Sequence, residues 1–112
     1  MTNLFLAPIF MVMGFTIPMQ ADISYYCNCE QCCGVYSGGL TSSGTVPQKG
    51  RTIAADKRFD FGTEIVIGDK TCIVEDRGGA INGNKIDIYL DSHSECLQRG
   101  RHTETVYIKI AP

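Results

Sequence analysis

Along most of the chain after residue 50, apolar and polar residues alternate in short runs broken by glycine, which is the pattern of strands. Lys85–Leu90 is the clearest case: Ile86, Ile88 and Leu90 share one face, while Asp87, Tyr89 and Asp91 share the other. Thr105–Ile110 alternates in the same way and predicts a closing strand with Val106, Ile108 and Ile110 turned inward. Thr52–Ala55 reads as a buried strand, and Glu64–Ile67 and Thr71–Glu75 flank Gly68-Asp69-Lys70, a glycine-type hairpin turn. Ile23–Tyr26 opens the series as a further strand. One segment departs from the period of two. Ser92-His93-Ser94-Glu95 carries the serine N-cap and the glutamate three residues on that start a helix, and Gly100 ends it.

Two stretches have neither period. Cys27 to Gly50, rich in cysteine and glycine, predicts a long irregular loop, and such loops in small domains are usually functional. Residues 1–21 carry no charged side chain, and Leu4–Ile17 is almost continuously apolar before Pro18. That predicts a signal peptide cut after Ala21, or alternatively an uncleaved anchor, since about 20 apolar residues can span a bilayer. The expected organisation is a signal or anchor segment at 1–21 and one domain at 22–112, with no repeat or linker that calls for a second. Strand-rich order, one short helix and no βαβ alternation make the fold class mainly β, a small closed β structure.

Composition changes this picture in two places. A formal net charge of −2 gives no basic field, so no nucleic-acid partner is expected, and any grip on an anionic polymer must come from local groups. The six cysteines of a small exported chain read first as disulfides. The C-x-C-x-x-C-C cluster of Cys27, Cys29, Cys32 and Cys33 is alternatively a zinc set, and Cys29-x-x-Cys32 a redox pair, though the latter lacks a thioredoxin-like frame.

The candidate chemistry lies in the run from Val74 to Tyr89. Asp76 and Asp87 end two strands joined by a loop with three glycines, so they could face each other. Paired carboxylates whose environments split their pKa values are the usual equipment for cleaving a glycosidic bond. Asp87 sits between two isoleucines, where partial burial would keep it protonated. Asp76 could equally be a turn-initiating acid that accepts from the backbone N–H groups after it. Arg77 beside it would favour its ionised form. Asp56, at the end of the Thr52–Ala55 strand, is a third carboxylate whose plainer reading is a strand-end cap. Thr41 could orient a sugar hydroxyl, although Ser/Thr/Gly clusters are mostly plain loop. His93, in the first turn of a capped helix, is more often structural, and no Ser/His/Asp triad is assembled.

The run Asp76-Arg77-Gly78-Gly79-Ala80-Ile81-Asn82-Gly83-Asn84 followed by Ile86-Asp87-Ile88-Tyr89 resembles the signature of the three-aspartate (3D) domain. Tyr26-Cys27-Asn28-Cys29, Cys32-Cys33-Gly34, Gly39-Leu40-Thr41, Ile53-Ala54-Ala55-Asp56, Phe61-Gly62-Thr63 and Asp91-Ser92-His93 fall in the same order as in that family. The resemblance implies a six-stranded double-psi β-barrel related to the MltA and RlpA lytic transglycosylases. It further implies a secreted or cell-envelope enzyme that cuts the β-1,4 bond between N-acetylmuramic acid and N-acetylglucosamine of peptidoglycan. On this reading Asp87, Asp76 and Asp56 are catalytic, and Thr41, Gly78, Gly79 and Lys85 bind substrate. No cofactor is needed, and a membrane is a partner only if the N-terminal segment is retained. Cys72 and Cys96 are extras to the family pattern, which suggests that they pair with each other. The rival readings are a non-catalytic wall-binding or wall-loosening barrel and a cysteine-cluster metal or redox protein.

Overall fold

The computed structural model describes residues 15–33 and 38–110, without the side chains of Gln31 and Cys32. Six strands and two short helices follow in the order β1 (Phe15–Tyr26), α1 (Glu30–Cys33), β2 (Thr52–Ala55), β3 (Glu64–Ile67), β4 (Lys70–Asp76), β5 (Lys85–Tyr89), α2 (His93–Arg99) and β6 (His102–Ile110). The strands close into a barrel in the order β1-β5-β2-β4-β3-β6. Two neighbouring pairs, β1 with β5 and β2 with β4, run parallel, and the others antiparallel. The mainly β class and the barrel with one late capped helix are thus as expected. The four-residue helix α1 inside the long loop was not.

β2 and β3 occupy the residues expected of the buried strand and of the first hairpin strand, and β1 and β6 are longer. The segment expected as leader divides: residues 1–14 lie outside the described residues, and Phe15–Ala21 forms the first half of β1. Its pattern is legible afterwards, because Phe15, Ile17, Met19, Ala21, Ile23 and Tyr25 alternate with Thr16, Pro18, Gln20, Asp22 and Ser24. β1 meets β6 from Phe15↔Ile110 to Ile23↔His102, but meets β5 only from Asp22 onward. Pro18 therefore stands where the strand has one partner, a position at which a missing N–H is tolerated. Ile110, expected inward, is 41% exposed, because it pairs with Phe15 where the β1–β6 ribbon runs past the barrel.

The interior is narrow and is filled by β-branched and small side chains: Ala21, Ile23, Ile53, Ala55, Ile65, Val74, Ile86 and Val106 are all essentially solvent-free. Burying each isoleucine contributes roughly 1.5–3 kcal/mol. A second cluster of Cys27, Leu90 and Cys96 lies beneath α2. Cys72 belongs to the first cluster and Cys96 to the second, so the expected pairing of these two is not formed. The α2 cap is half of the predicted box. Ser92 Oγ accepts from the Glu95 N–H at 3.3 Å, while the Glu95 carboxylate turns to Lys49 and Arg99. Gly100 closes the helix at φ +61°, a left-handed value that favours glycine.

The pairing of β2 with β4 contains one irregularity. The two strands meet as Ile53↔Val74 and then Ala54↔Asp76, so Glu75 is an extra residue on β4, a β-bulge. The Glu75 side chain is buried, accepting from Thr52 Oγ1 at 2.6 Å and from Arg51 Nε at 3.1 Å. Glu75→Ala would strip a buried hydroxyl and a guanidinium of their shared acceptor, and should cost about 1–3 kcal/mol in denaturant unfolding. Stability within error of wild type would mean that these bonds do not hold the bulge.

Candidate active site

The bulge decides where Asp76 points. Cys72 and Val74 face the core, so strict alternation would send Asp76 inward as well. With Glu75 inserted, Asp76 instead lies in register with Ala54, on the face opposite Ile53. Ala54 is also the partner of Asp87 on β5, and Asp87 the partner of Ser24 on β1. Ser24, Asp87, Ala54 and Asp76 thus form one row across four adjacent strands, all on the outer face. Ala54, whose side chain is only a methyl group, stands between the two aspartates in this row, and their strands lie roughly twice the ~4.8 Å strand spacing apart.

The long loop folds over this row. Leu40, Thr41, Ser42 and Pro47 from the loop, with Tyr26, Ala54, Asp76, Arg77, Gly78, Asp87 and Tyr89 from the barrel side, line a cleft of about 450 Å³. Asp76 is held from several sides: Tyr26 Oη donates to it at 2.7 Å, Ser42 N–H at 3.0 Å, Ser42 Oγ at 2.9 Å and the Arg77 N–H at 2.9 Å. A carboxylate, which only accepts, suits that ring of donors. Burial, helped by the bond to Asp76, pushes the Tyr26 phenol far above its ordinary range, so Tyr26 remains a donor. Tyr26 packs edge-on against Tyr89 at 5.5 Å between ring centres.

Asp87 has the opposite surroundings. Burial raises its pKa, and the negative charge of Asp76 acts in the same direction. The Ser24 hydroxyl, donating at 2.9 Å, and the more distant Arg101 pull the other way, and burial wins. The two aspartates thus differ in environment: Asp76 is ringed by donors, while burial opposes ionisation of Asp87.

The other predicted residues are distributed. Thr41 lines the cleft but spends its hydroxyl on Ser43 Oγ, Thr45 Oγ1 and the Thr45 N–H, shaping the loop. Gly78 lines the cleft and Gly79 does not. Lys85 lies with Asp22, Ser24 and Arg101 in a neighbouring pocket on the far side of Ser24. Asp56 is outside the cleft lining: it accepts from the Gly83 N–H at 2.7 Å, which is the main reason its pKa is lowered, and from Arg58 N–H at 3.4 Å. It thereby pins the β4–β5 loop at Gly83, whose φ of +63° suits glycine. Arg77 reaches Asp76 through its backbone, while its guanidinium donates to the Phe59 and Ala55 carbonyls and stacks on Phe61 at 4.1 Å. His93 does not line the cleft; its Nδ1 lies against the sulfurs of Cys27 and Cys29. Among the described residues no two sulfurs stand at the ~2.05 Å of a disulfide, so the disulfide expectation is not met there; Cys27 and Cys29 bring their sulfurs to 2.9 Å. Cys33 donates to the Cys27 carbonyl at 3.2 Å, and the Cys32 side chain lies outside the described residues.

Sequence reasoning gave no role to Ser24, Tyr26, Ser42 and Tyr89. Ser24 and Tyr26 share the non-core face of β1, and Tyr89 the face of Asp87, so period two could have found them once strand order was known.

The model of the 3D domain matches residues 51–110, more than half of the chain. The chain belongs to the 3D domain family. No curated protein matches it as a relative. Among solved structures it is similar to the E. coli lytic transglycosylase MltA in the apo-2 form of an aspartate-to-alanine variant, with a TM-score of 0.54 and 22% identity over 65% of this chain and 28% of that one. Two further E. coli MltA crystal structures give a TM-score of 0.54 at 21% and 24% identity, covering 69% and 65% of this chain. This 3D domain thus shares a barrel with those proteins and spans less than a third of the length of each.

The Asp87 environment has a stability signature. A raised carboxyl pKa means that the folded state holds the proton more tightly than the unfolded chain. Its contribution to stability is complete below the unfolded value of about 3.9 and is lost as pH rises through the folded value. Asp87→Asn, neutral at every pH, should therefore melt higher than wild type at pH 7, with the gap closing below about pH 4. A variant that melts lower at pH 7 and keeps its deficit in acid would show that burial does not oppose ionisation of Asp87.

Proposed function

We propose that this 3D domain cleaves peptidoglycan as a lytic transglycosylase, with Asp87 as its one general acid and base. The observation that carries this reading is the row that sets a half-buried Asp87, whose pKa burial raises, beside an Asp76 ringed by hydrogen-bond donors in a single cleft. The family membership and the barrel shared with MltA support the same substrate class.

In the proposed reaction the Asp87 carboxyl gives its proton to the glycosidic oxygen as the bond from C1 of N-acetylmuramic acid breaks. The C6 hydroxyl of that sugar closes on C1, and its proton passes to the Asp87 carboxylate, which restores the acid and leaves a 1,6-anhydro end. Asp76 stabilises the positive charge that develops at C1 and keeps the proton affinity of Asp87 high. Tyr26 and Ser42 hold Asp76 in place, and Tyr89, packed against Tyr26, forms part of the cleft wall. Asp56 positions the β4–β5 loop, and Thr41 and Gly78 shape the walls of the cleft. The protein would act at the cell envelope, with the apolar N-terminal residues as the export or anchoring element.

Purified protein incubated with sacculi should release muropeptides whose mass carries the anhydro loss of water. Asp87→Asn should reduce that release by ~10²-fold or more, and Asp76→Asn should reduce it less. Muropeptides lacking the anhydro end would make the enzyme a hydrolase. Retention on sacculi without release would make the barrel a binding module, and wild-type activity in Asp87→Asn would end the assignment.

A further inference from the structure

The cysteine-rich turn after β1 gathers a second set of chemical groups, none of which lines the cleft of the proposed glycan cleavage. Cys27 follows β1 directly and is buried, Cys29 is half-buried two residues on, and His93 opens α2. Their donor atoms all lie within 4.8 Å of one another. His93 Nδ1 is 3.7 Å from Cys27 Sγ and 3.4 Å from Cys29 Sγ, and the two sulfurs are 2.9 Å apart.

We propose that Cys27, Cys29 and His93 bind a zinc ion that clamps the end of β1 to the start of α2. Two thiolates and an imidazole are the donor set that selects zinc over hard cations. Ideal tetrahedral bonds, ~2.3 Å to sulfur and ~2.0–2.1 Å to nitrogen, put sulfur and nitrogen about 3.6 Å apart and two sulfurs about 3.8 Å apart. Both sulfur–nitrogen distances agree with this, and the sulfurs would separate by about 0.9 Å as the ion enters. A disulfide between Cys27 and Cys29 would need no third donor, whereas here an imidazole converges on both sulfurs.

The scaffold around the three groups is already arranged. Asn28, between the cysteines, donates from Nδ2 to the Gly39 carbonyl at 3.0 Å and accepts the Gly38 N–H at 2.9 Å, fixing the turn to the long loop. His93 is placed by the Ser92 cap, and Leu90 and Cys96 pack under the site. Sequence reading drew the zinc set from cysteines alone; the histidine, 66 residues after Cys27, joins only because Leu90 N–H bonds the Tyr26 carbonyl at 2.8 Å and brings the two segments together. The clamp sits next to Tyr26, so it would also hold the donor that fixes Asp76.

The test uses the full chain, stripped with a chelator under reducing conditions and titrated with zinc, and then with cobalt as a spectroscopic probe. One equivalent of zinc should bind, and cobalt should show sulfur-to-metal charge transfer with tetrahedral d–d bands. Cys27→Ser, Cys29→Ser and His93→Ala should each weaken zinc affinity tenfold or more, while Cys72→Ser, in the barrel core, should bind as wild type. Should the ligand variants not fold, X-ray absorption of the wild-type zinc protein decides, since sulfur together with imidazole scattering is required. Absence of stoichiometric zinc, unchanged affinity in folded variants, or coordination by oxygen and nitrogen alone would overturn the site. None of these readouts depends on glycan cleavage, so the clamp and the proposed activity stand or fall separately.

Discussion

The candidate active site depends on one extra residue in one strand. Were β4 paired with β2 without interruption, Ala54 would meet Glu75, and Asp76 would follow Cys72 and Val74 into a core of isoleucine and valine where no donor awaits it. An unpaired carboxylate there would be costly. The bulge moves the mismatch to Glu75, whose carboxylate is buried but answered by Thr52 and Arg51, and turns Asp76 onto the face already occupied by Asp87. A charge is therefore buried beside the site so that another can be presented in it. The parallel pairing of β2 with β4 places the end of β4 beside the middle of β2, and so beside β5.

Once on one face, the aspartates are made unlike by what lies around them and not by their own chemistry. Asp76 receives donors from β1, from the long loop and from its own following residue, so three parts of the chain fix one anion. Asp87 receives one hydroxyl and otherwise sits in a half-buried pocket, where losing water outweighs the help of Ser24 and Arg101. The loop over the cleft and the barrel wall are thus a single electrostatic device. The cysteine–histidine corner adjoins it through Tyr26, whose hydroxyl reaches Asp76 and whose carbonyl is bonded by Leu90.

Legibility in the sequence depends on how local each signal is. β2, β3 and α2 are encoded by runs of apolar residues, a glycine turn and a serine cap, all within a few positions, and they lie where sequence puts them. Asp87 was placed on the non-core face by the simple alternation of its own strand. Asp76 could not be, because a bulge shows only when two strands are aligned. The start of β1 was obscured by competing patterns, since an uncharged apolar run with a proline also satisfies the rule for a leader. Sequence alone leaves His93 structural, because its partners are brought to it by strand pairing, which no spacing announces. The roles of Tyr26 and Ser42 were hidden for the same reason: both act on Asp76 from distant parts of the chain.

Burial in this row raises the proton affinity of Asp87, and carbon-detected NMR titration of the Asp87 carboxyl reads it directly. Asp87 should titrate clearly above the ordinary value of about 3.9, and its midpoint should fall in Asp76→Asn as the neighbouring negative charge is removed. An Asp87 midpoint at or below the ordinary value, unmoved by loss of the Asp76 charge, would contradict the account.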